Sequence, residues 1–382
     1  PRPGATTANN MPSLGWKATD AEQVEVWIDG ARVAVLPGDA NRYVPFPLSF
    51  GDHRWKIVAT TGSLRQESAV AKCRVDDTPL QELPANALLL RRGWSVESST
   101  IVGTNGAELS SPRVDTTRWA TTSVPATVLT ALVRNGVYPN PYVGLNNTLI
   151  PDANNEFNRT FDLQRFSHLS GLNPWQQPYW YRTTFQVPRS YEGRRVWLTF
   201  NEINYRAEVW LNGKRLASAT EMVGMERSFR FDITAAVQRG GENYLAVCIY
   251  PLDTPGKPAP APITPLADPG RNMGDDTGIS VNYSKWDTIG WDWQPEVRDR
   301  DMGITEDVFL SATDDLEITD LYVGSDVALP ELSPAEVRIA FAVVNRSEVV
   351  QTGVVQVRAT DESGQRAFSL EQPFAIAPGQ TQ

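Results

Sequence analysis

The feature that most constrains this chain is an alternation of apolar and polar residues in short runs, which recurs along almost all of its 382 residues. Val, Trp, Tyr, Phe and Ile concentrate in these runs, and Gly, Pro, Asn and Asp separate them. A period of two with this punctuation is typical of β-strands joined by turns. The pattern predicts an all-β protein, with one helical stretch in the middle, over residues 126–133 after Pro125.

A chain of this length exceeds one ordinary core, and the spacing of turns divides it into three domains. Residues 1–82 predict a small immunoglobulin- or fibronectin-like sandwich, and residues 83–313 predict a larger jelly-roll sandwich. Residues 314–382 predict an immunoglobulin-like sandwich that is incomplete. We expect its open sheet edge to be covered by further sequence or by a partner.

Two segments predict nearly identical β-hairpins. In the first, residues 24–28 and 31–34 flank Asp29-Gly30; in the second, residues 207–211 and 214–217 flank Asn212-Gly213. Both dipeptides suit a two-residue type I′ turn, which requires positive φ at both positions. We interpret the likeness as one hairpin design used twice, since two copies are too few for a repeat array.

The negative net charge and the small number of cysteines and histidines argue against several classes of function. The net charge is −10 and the basic residues are scattered, which disfavours a nucleic-acid or anionic-membrane partner. No apolar run is long enough for a transmembrane helix. Cys73 and Cys248 are predicted to be two separate buried thiols, and His53 and His168 are the only histidines. A zinc site or a Ser-His-Asp relay is therefore disfavoured, and we expect no metal and no cofactor.

The location of the protein is weakly indicated by its first residues. The chain begins at Pro1-Arg2-Pro3-Gly4, and no apolar signal-peptide core follows. A signal peptide removed before this form fits a secreted or periplasmic protein, which is our expectation.

A Pro-rich stretch at residues 251–269 leads toward Trp291-Asp292-Trp293, a carboxylate between two indoles. Aromatic faces stack on the C–H side of a pyranose, and a carboxylate accepts hydrogen bonds from adjacent hydroxyls. This Trp-Asp-Trp segment therefore predicts a sugar clamp. The alternative, of equal weight on these residues alone, is two core tryptophans with Asp292 paired to Arg298 or Arg300.

Several phrases in one order connect this segment to a known family. They are Gly93-Trp94-Ser95-Val96, Ser123-Val124-Pro125-Ala126-Thr127-Val128-Leu129, Asn140-Pro141 with Gly144-Leu145, Tyr179-Trp180-Tyr181-Arg182, Glu208-Val209-Trp210-Leu211-Asn212-Gly213, and Gly290-Trp291-Asp292-Trp293 before Arg298-Asp299-Arg300 and Gly303-Ile304. The set resembles glycoside hydrolase family 2, in the branch of endo-β-mannosidases, β-mannosidases and exo-β-glucosaminidases. The resemblance covers roughly residues 85–382, so the first sandwich lies outside it.

The resemblance implies a jelly-roll sugar-binding domain, an immunoglobulin-like sandwich and then a (β/α)8 barrel. In this family the barrel carries both catalytic carboxylates of a retaining mechanism. This chain has no alternating strand and helix units, so no TIM barrel is expected in it and no catalytic residue is assigned. The implied partner is a (β/α)8 catalytic domain, in cis or as a second chain.

The resemblance also implies substrate-binding residues for the −1 subsite. Asp292 would accept hydrogen bonds from sugar hydroxyls, Trp293 would wall the pocket, and Trp291 would lie behind them. Asn147 occupies the position where mannosidase-like members carry Asn followed by Glu, but Thr148 follows it here. Asp299-Arg300 is interpreted as an internal ion pair that locks the loop.

Two further departures from the family pattern concern the ends of this region. The family phrase Gly-Ile-Trp is Gly303-Ile304-Thr305 here, which removes an aromatic contact. The segment 159–173 has no counterpart and is interpreted either as a solvated loop or as part of a longer glycan subsite.

The leading hypothesis is the non-catalytic N-terminal part of a retaining β-glycosidase, acting on a glycan or glycoside substrate. The alternative is a stand-alone carbohydrate-binding protein without hydrolytic activity. The sequence leaves open whether the sugar is a β-mannoside or a β-glucosaminide, and whether attack is exo or endo.

Overall fold

A computed structural model describes residues 5–76, 82–155, 158, 162–253, 285, 297–330 and 335–382. The chain divides into two compact units. The first comprises Pro1–Pro188, Leu198–Phe231 and Ala235–Leu310; the second comprises Arg189–Trp197, Asp232–Thr234 and Ser311–Gln382. None of the helices in the described ranges is long and apolar enough to cross a membrane.

The first part of the first unit is a small sandwich whose strands alternate between core and solvent. They are β1 (Ala5–Thr7), β2 (Leu14–Gly15), β3 (Gln23–Ile28), β4 (Ala31–Pro37), β5 (Arg42–Tyr43), β6 (Gly51–Thr61), β7 (Leu64–Glu67) and β8 (Ala71–Val75). The main sheet has the order β1-β8-β6-β3-β4, with β7 on β6, and a second sheet pairs β2 with β5. Leu14, Val26, Trp55 and Cys73 belong to the core between them.

Both predicted hairpins form with the predicted turn geometry. Asp29 and Gly30 have φ of 49° and 85° between β3 and β4. Asn212 and Gly213 have φ of 51° and 82° in the second hairpin. Positive φ at both central positions is the type I′ turn that matches the twist of the flanking strands.

The remainder of the first unit is a jelly roll, three of whose strands also include residues of the second unit. Its strands are β9 (Leu88–Leu89), β10 (Trp94–Ser98), β11 (Ala120–Thr122), β12 (Ala126–Thr127), β13 (Tyr179–Gln186), β14 (Arg195–Phe200), β15 (Arg206–Leu211), β16 (Lys214–Val223), β17 (Phe229–Asp232), β18 (Glu242–Tyr250), β19 (Gly303–Ile304) and β20 (Val308–Thr313). One sheet has the order β11-β10-β13-β18-β15-β16, another has the order β17-β14-β20-β9, and β12 pairs with β19. The predicted all-β fold class is confirmed, and the described residues contain no barrel of alternating strands and helices.

Helices in this unit are short: α1 (Ser99–Val102), α2 (Gly106–Leu109), α3 (Val128–Arg134) and α4 (Leu163–Phe166). The predicted helix is α3, but its predicted start at Ala126 is wrong by two residues. Ala126 and Thr127 instead pair with β19, and the Thr127 hydroxyl accepts the N–H of Thr130 at 3.1 Å as the N-cap. The strand pairing therefore takes precedence over initiation by Pro125, and a capping threonine begins the helix.

The small sandwich and the jelly roll meet at the end of α3. Arg134, from α3, donates to the carbonyl oxygens of Pro47 at 2.9 Å and Leu48 at 3.3 Å. The Ser123 hydroxyl accepts the N–H of Phe50 at 2.9 Å. These contacts place residues 5–76 and the jelly roll in one compact unit, while the domain boundary near Leu83 stays a prediction.

Gly303 lies where β19 approaches β12 closely, which leaves no room for a larger residue. A Cβ at residue 303 would lie 2.6 Å from the Ala126 oxygen and 2.9 Å from the Tyr181 hydroxyl. Because the crowded atoms include backbone held by strand pairing, we expect Gly303→Ala to lower the free energy of unfolding by about 1–3 kcal/mol. Chemical denaturation measures the change.

The matched control is Gly15→Ala, at an exposed strand position whose added Cβ would meet no atom closer than 3.8 Å. We expect its stability to change by no more than about 0.5 kcal/mol. Equal losses in the two variants would show that the close approach at Gly303 is not a constraint.

The second unit contains two long antiparallel hairpins. They are β21 (Leu316–Val327) with β22 (Ala335–Asn345), and β23 (Gln351–Thr360) with β24 (Arg366–Ile376). Val343, Val355 and Ile376 form its core, and Arg346 pairs with Glu317 at 3.1 Å.

Both cysteines are free, buried thiols, as predicted.

Candidate functional site

The predicted substrate-binding residues divide into two groups. Trp291, Asp292 and Trp293 lie outside the described residues. Asn147 is described, in a short 3-10 helix at Asn146–Leu149, and is half-buried. The site is therefore built from Asn147 and from the residues that follow the Trp-Asp-Trp segment in sequence, beginning at Val297.

The segment that carries Asn147 is organised by its own polar groups. The side-chain oxygen of Asn140 accepts the N–H of Tyr142 at 3.0 Å, and the side-chain amide of Asn146 donates to the Asn140 carbonyl at 3.0 Å. The Thr148 hydroxyl donates to the Leu145 carbonyl at 2.7 Å. Local bonds of this kind fix a loop without a sheet ladder. Tyr142 and Leu145 are each 80% exposed at its surface.

Arg298 joins this segment to the chain that follows the Trp-Asp-Trp segment. Its Nε donates to the carbonyl oxygen of Asn147 at 3.1 Å, and its Nη1 lies 3.5 Å from Oδ1 of Asp152. Its carbonyl oxygen accepts the N–H of Ala153 at 2.9 Å. One buried arginine therefore fixes residues 147–153 and residue 298 to each other.

Arg300 forms the strongest ionic contact of the site. Its Nη1 and Nη2 donate to the two carboxylate oxygens of Asp152, each at 2.8 Å, and the two side chains are 1% and 0% exposed. A planar guanidinium facing a carboxylate in this forked geometry combines charge with fixed orientation. The Arg300 carbonyl also accepts from the side-chain amide of Asn204 at 2.8 Å.

Two asparagines complete what we call the Asp152 network, defined as Asp152, Asn158, Asn173, Arg298 and Arg300. Asn158 accepts the N–H of Asp152 at 2.8 Å and donates to its carbonyl at 2.6 Å. Asn173 donates to the same carbonyl at 2.9 Å. The backbone of Asp152 is thus satisfied as fully as its carboxylate, which is the condition for burying a charge.

Asn173 ends the segment 159–173, whose described residues are partly buried and partly exposed. Its side chain caps the 3-10 helix Pro174–Gln176, and Ser167, Leu169 and Asn173 are buried. Asp162, Gln164, Arg165, Ser170 and Leu172 are exposed, so the interpretation as a solvated loop stays a prediction. A role in a longer glycan subsite stays a prediction.

Asp299 faces the start of α3. Its Oδ2 accepts the N–H of Leu129 at 2.8 Å, its Oδ1 accepts the N–H of Asp301 at 3.1 Å, and Thr127 hydrogen-bonds it as well. Complete burial, with a further contribution from the charge of Asp301, raises the pKa of this carboxyl to about 7. The predicted ion pair within Asp299-Arg300 is wrong in its partners, because Arg300 pairs with Asp152 and Asp299 pairs with backbone N–H groups.

A second ion pair, between Lys285 and Glu202, was not predicted. The Lys285 ammonium lies 2.9 Å from Glu202 Oε1, and the Glu202 side chain is 8% exposed. Burial alone would lower the pKa of Lys285, but the hydrogen bond and charge of Glu202 raise it. This lysine precedes the Trp-Asp-Trp segment in sequence as Arg298 and Arg300 follow it. Lys285, Arg298 and Arg300 are thus each held by an ion pair.

The charged groups described at this site position one another. The arginines are neutralised by a carboxylate, and no group of three His, Cys, Asp or Glu suited to a metal occurs among the described residues. His168 bonds Tyr138 and Tyr179, and burial lowers its pKa to about 4. A neutral, tyrosine-bound imidazole does not form a Ser-His-Asp relay.

The sequence alone did not indicate the roles of Asp152 and Glu202, because their ion-pair partners are distant in the chain. A signal for Asp152 does exist in retrospect. Arg298 and Arg300 lie two residues apart, and arginines that turn into the protein interior require a buried carboxylate.

The two-sheet architecture is that of galactose-binding-like jelly rolls, and residues 172–306 match the family model described as glycosyl hydrolase 2 galactose-binding domain-like. The predicted resemblance is confirmed: residues 172–306 are similar to the galactose-binding-like domain of glycoside hydrolase family 2.

Among curated relatives, it is 31% identical over 240 residues to mannosylglycoprotein endo-β-mannosidase of Lilium longiflorum, covering 62% of this chain and 22% of that protein. It is 25% identical over 279 residues to exo-β-D-glucosaminidase of Streptomyces avermitilis, covering 73% of this chain and 25% of that protein. The chain thus spans at most a quarter of the length of these two relatives.

A solved structure of the exo-chitosanase CsxA of Amycolatopsis orientalis shares the fold. Its TM-score is 0.53 at 22% identity, over 78% of this chain and 28% of that chain.

Proposed function

We propose that this chain is the N-terminal, non-catalytic part of a retaining β-glycosidase and supplies one wall of its −1 subsite. Asp292 accepts hydrogen bonds from the sugar, Trp293 and Trp291 wall the pocket, and Asn147 lies beside them. Both catalytic carboxylates belong to a (β/α)8 domain, in cis or as a second chain, which is the partner of this unit.

One observation carries the proposal: Arg298 bonds the carbonyl of Asn147 and lies six residues after Asp292 in sequence. Asn147, which is 145 residues from Asp292 in sequence, is thereby bonded to a buried arginine only six residues from Asp292 along the chain. Binding groups need such rigid support, since small displacements cost affinity and rate. The Asp152 network provides this support to Asn147 through Arg298.

The names of the relatives support a proposal for the substrate class. Their names include a mannoside-cleaving and several glucosaminide-cleaving enzymes, so we propose a β-mannoside or a β-glucosaminide as the substrate. A carboxylate facing sugar hydroxyls discriminates among sugars, because a substrate lacking the matching hydroxyl leaves the buried acceptor unpaired. Exo or endo attack depends on the barrel loops.

The test is Asp292→Ala in the intact enzyme that contains this chain. Losing a charged hydrogen bond of about 1.5–3 kcal/mol lowers kcat/KM by about 10- to 100-fold. The assay uses p-nitrophenyl β-mannoside and p-nitrophenyl β-glucosaminide, and an intact-mass measurement establishes whether a barrel-sized piece accompanies the chain. The 382 residues alone are expected to show no hydrolysis.

Asp253→Ala is the control, because that carboxylate is 77% exposed and contacts Arg206 at the surface. We expect wild-type kinetics from it. Wild-type kinetics in Asp292→Ala as well would exclude the proposed role of the Trp-Asp-Trp segment.

A further inference from the structure

A second cavity lies on the jelly roll, away from the Asp152 network. It measures about 950 Å3 and is formed by α1, α2 and residues 111–119. Glu97, Glu108, Asp115, Arg118 and Trp119 are among its lining residues. The volume is at the upper end of the range of small-molecule sites, roughly 300–1,000 Å3.

Strand β13 shows that this cavity and the candidate site occupy opposite faces of one sheet. The Tyr181 hydroxyl donates to the Ala126 carbonyl, on the side of α3 and Asp299. The next residue, Arg182, donates to the carbonyls of Leu109 and Ser111, which line the cavity. Because successive strand residues point to opposite faces, a ligand in the cavity cannot reach the Asp152 network.

The walls of the cavity are rigid before any ligand binds. Leu109, Trp180 and Cys248 form a buried cluster against which Trp119 packs. A Cβ on Gly106 would lie 2.2 Å from the Trp210 ring, so α2 lies directly on that indole. A preformed wall reduces the ordering entropy that a ligand must overcome.

The polar groups of the rim are also held in place. Asn105 caps α2 by accepting the N–H of Glu108 at 3.1 Å, and Asp115 accepts the N–H of Thr117 at 2.9 Å. On the sheet, one oxygen of Glu97 accepts the N–H of Ser98 at 2.8 Å. Burial raises the pKa of Glu97, as expected for a carboxylate turned into a partly dry space.

The charge on the rim is mixed. Glu97, Glu108 and Asp115 contribute carboxylates, and Arg113 and Arg118 contribute exposed guanidinium groups. A strongly charged ligand of either sign meets repulsion from part of this rim. A polyhydroxylated neutral ligand does not, because a hydroxyl donates to a carboxylate and accepts from a guanidinium.

We propose that this cavity is a second carbohydrate site, which binds a pyranose of an oligosaccharide through the Trp119 indole and the Glu97 carboxylate. The sugar's apolar face stacks on the indole, and its hydroxyls donate to Glu97 and accept from Arg118. The site is independent of the proposed −1 wall. It holds a polysaccharide chain on the enzyme without contributing to bond cleavage.

Isothermal titration of the 382-residue chain with manno-oligosaccharides, chitosan oligomers and cello-oligosaccharides tests the proposal. We expect saturable binding of at least one of the three. Glu97→Gln and Trp119→Ala are each expected to weaken it by about tenfold or more, which are losses typical of a charged hydrogen bond and of an aromatic anchor. Tyr142→Ala, which removes an exposed aromatic residue of the Asn147 segment, leaves the affinity unchanged.

Thermal melting of each variant checks the fold, and Glu97→Gln decides the outcome if Trp119→Ala unfolds, since it preserves shape and volume. Absence of saturable binding to all three oligosaccharide types overturns the proposal. Binding that Glu97→Gln leaves intact overturns it as well. Binding lost in Tyr142→Ala but kept in Glu97→Gln would place the ligand on the Asn147 segment instead.

Discussion

Replacing Asp152 by Ala is expected to lower the free energy of unfolding by about 3–5 kcal/mol, because it leaves two buried guanidinium groups without their carboxylate. Arg300 is 1% exposed and loses both of its bonds to Asp152. Arg298, 10% exposed, loses its ionic contact with Asp152. Urea denaturation of the chain, followed by tryptophan fluorescence, measures the change.

The matched control is Asp52→Ala, which breaks an arginine–carboxylate contact at the surface. Arg74 lies 3.0 Å from Asp52, but the two side chains are 38% and 79% exposed. Solvent screens such pairs, so stability should stay within experimental error of the wild type. Asp152→Asn, which retains hydrogen-bond acceptors but not the charge, should fall between the two. Similar stabilities for Asp152→Ala and Asp52→Ala would refute the buried pairing.

Removal of the Asp152 carboxylate is also expected to affect the proposed subsite. Arg298 contacts both Asp152 and the Asn147 carbonyl, so loss of the carboxylate frees the arginine that holds the Asn147 segment. In the intact enzyme we therefore expect Asp152→Ala to impair substrate binding without any contact to sugar. Residues that orient a binding group can change substrate affinity in this way without contacting the substrate.

The local features of the fold were predictable from sequence. Two-residue Asp-Gly and Asn-Gly turns dictate positive φ, and both hairpins formed where alternating residues flanked them. The helix α3 was expected within two residues of its observed start. In these cases the determining interactions lie within a few residues of each other, which is the range that sequence patterns report.

The polar core of the candidate site was not predictable in the same way. Arg300 and Asp152 are 148 residues apart, and both lie in irregular segments where charged residues normally face solvent. Arg300 also has φ of 53°, which no sequence pattern indicates for an arginine. Only the tertiary packing of two loops reveals the pair. The family resemblance identified Trp291, Asp292 and Trp293, and their role stays a prediction.

The pH dependence of stability is the second large effect that we expect, and it originates at Asp299. This carboxyl has a pKa of about 7 in the folded chain, because burial penalises its charged form, against 3.8 as the ordinary value. Between these values the folded state binds a proton that the unfolded state has lost. Stability from this group is therefore fully present below about pH 4 and is lost as pH rises through 7.

The expected size of the loss is about 2–3 kcal/mol between pH 5 and pH 8, from a pKa difference of about 3 units at 1.36 kcal/mol each. Urea denaturation at several pH values measures it. Asp299→Asn removes the titration and should flatten the wild-type decline over this range, although its amide cannot accept from both Leu129 and Asp301 as the carboxylate does.

Asp253→Asn, at an exposed carboxylate, should retain the wild-type slope and serves as the control. An unchanged slope in Asp299→Asn would mean that the two N–H donors keep Asp299 ionised throughout. If the slope does flatten, the Asp299 carboxyl that faces the start of α3 binds a proton near neutral pH, one residue away from each of the arginines that pair with Asp152.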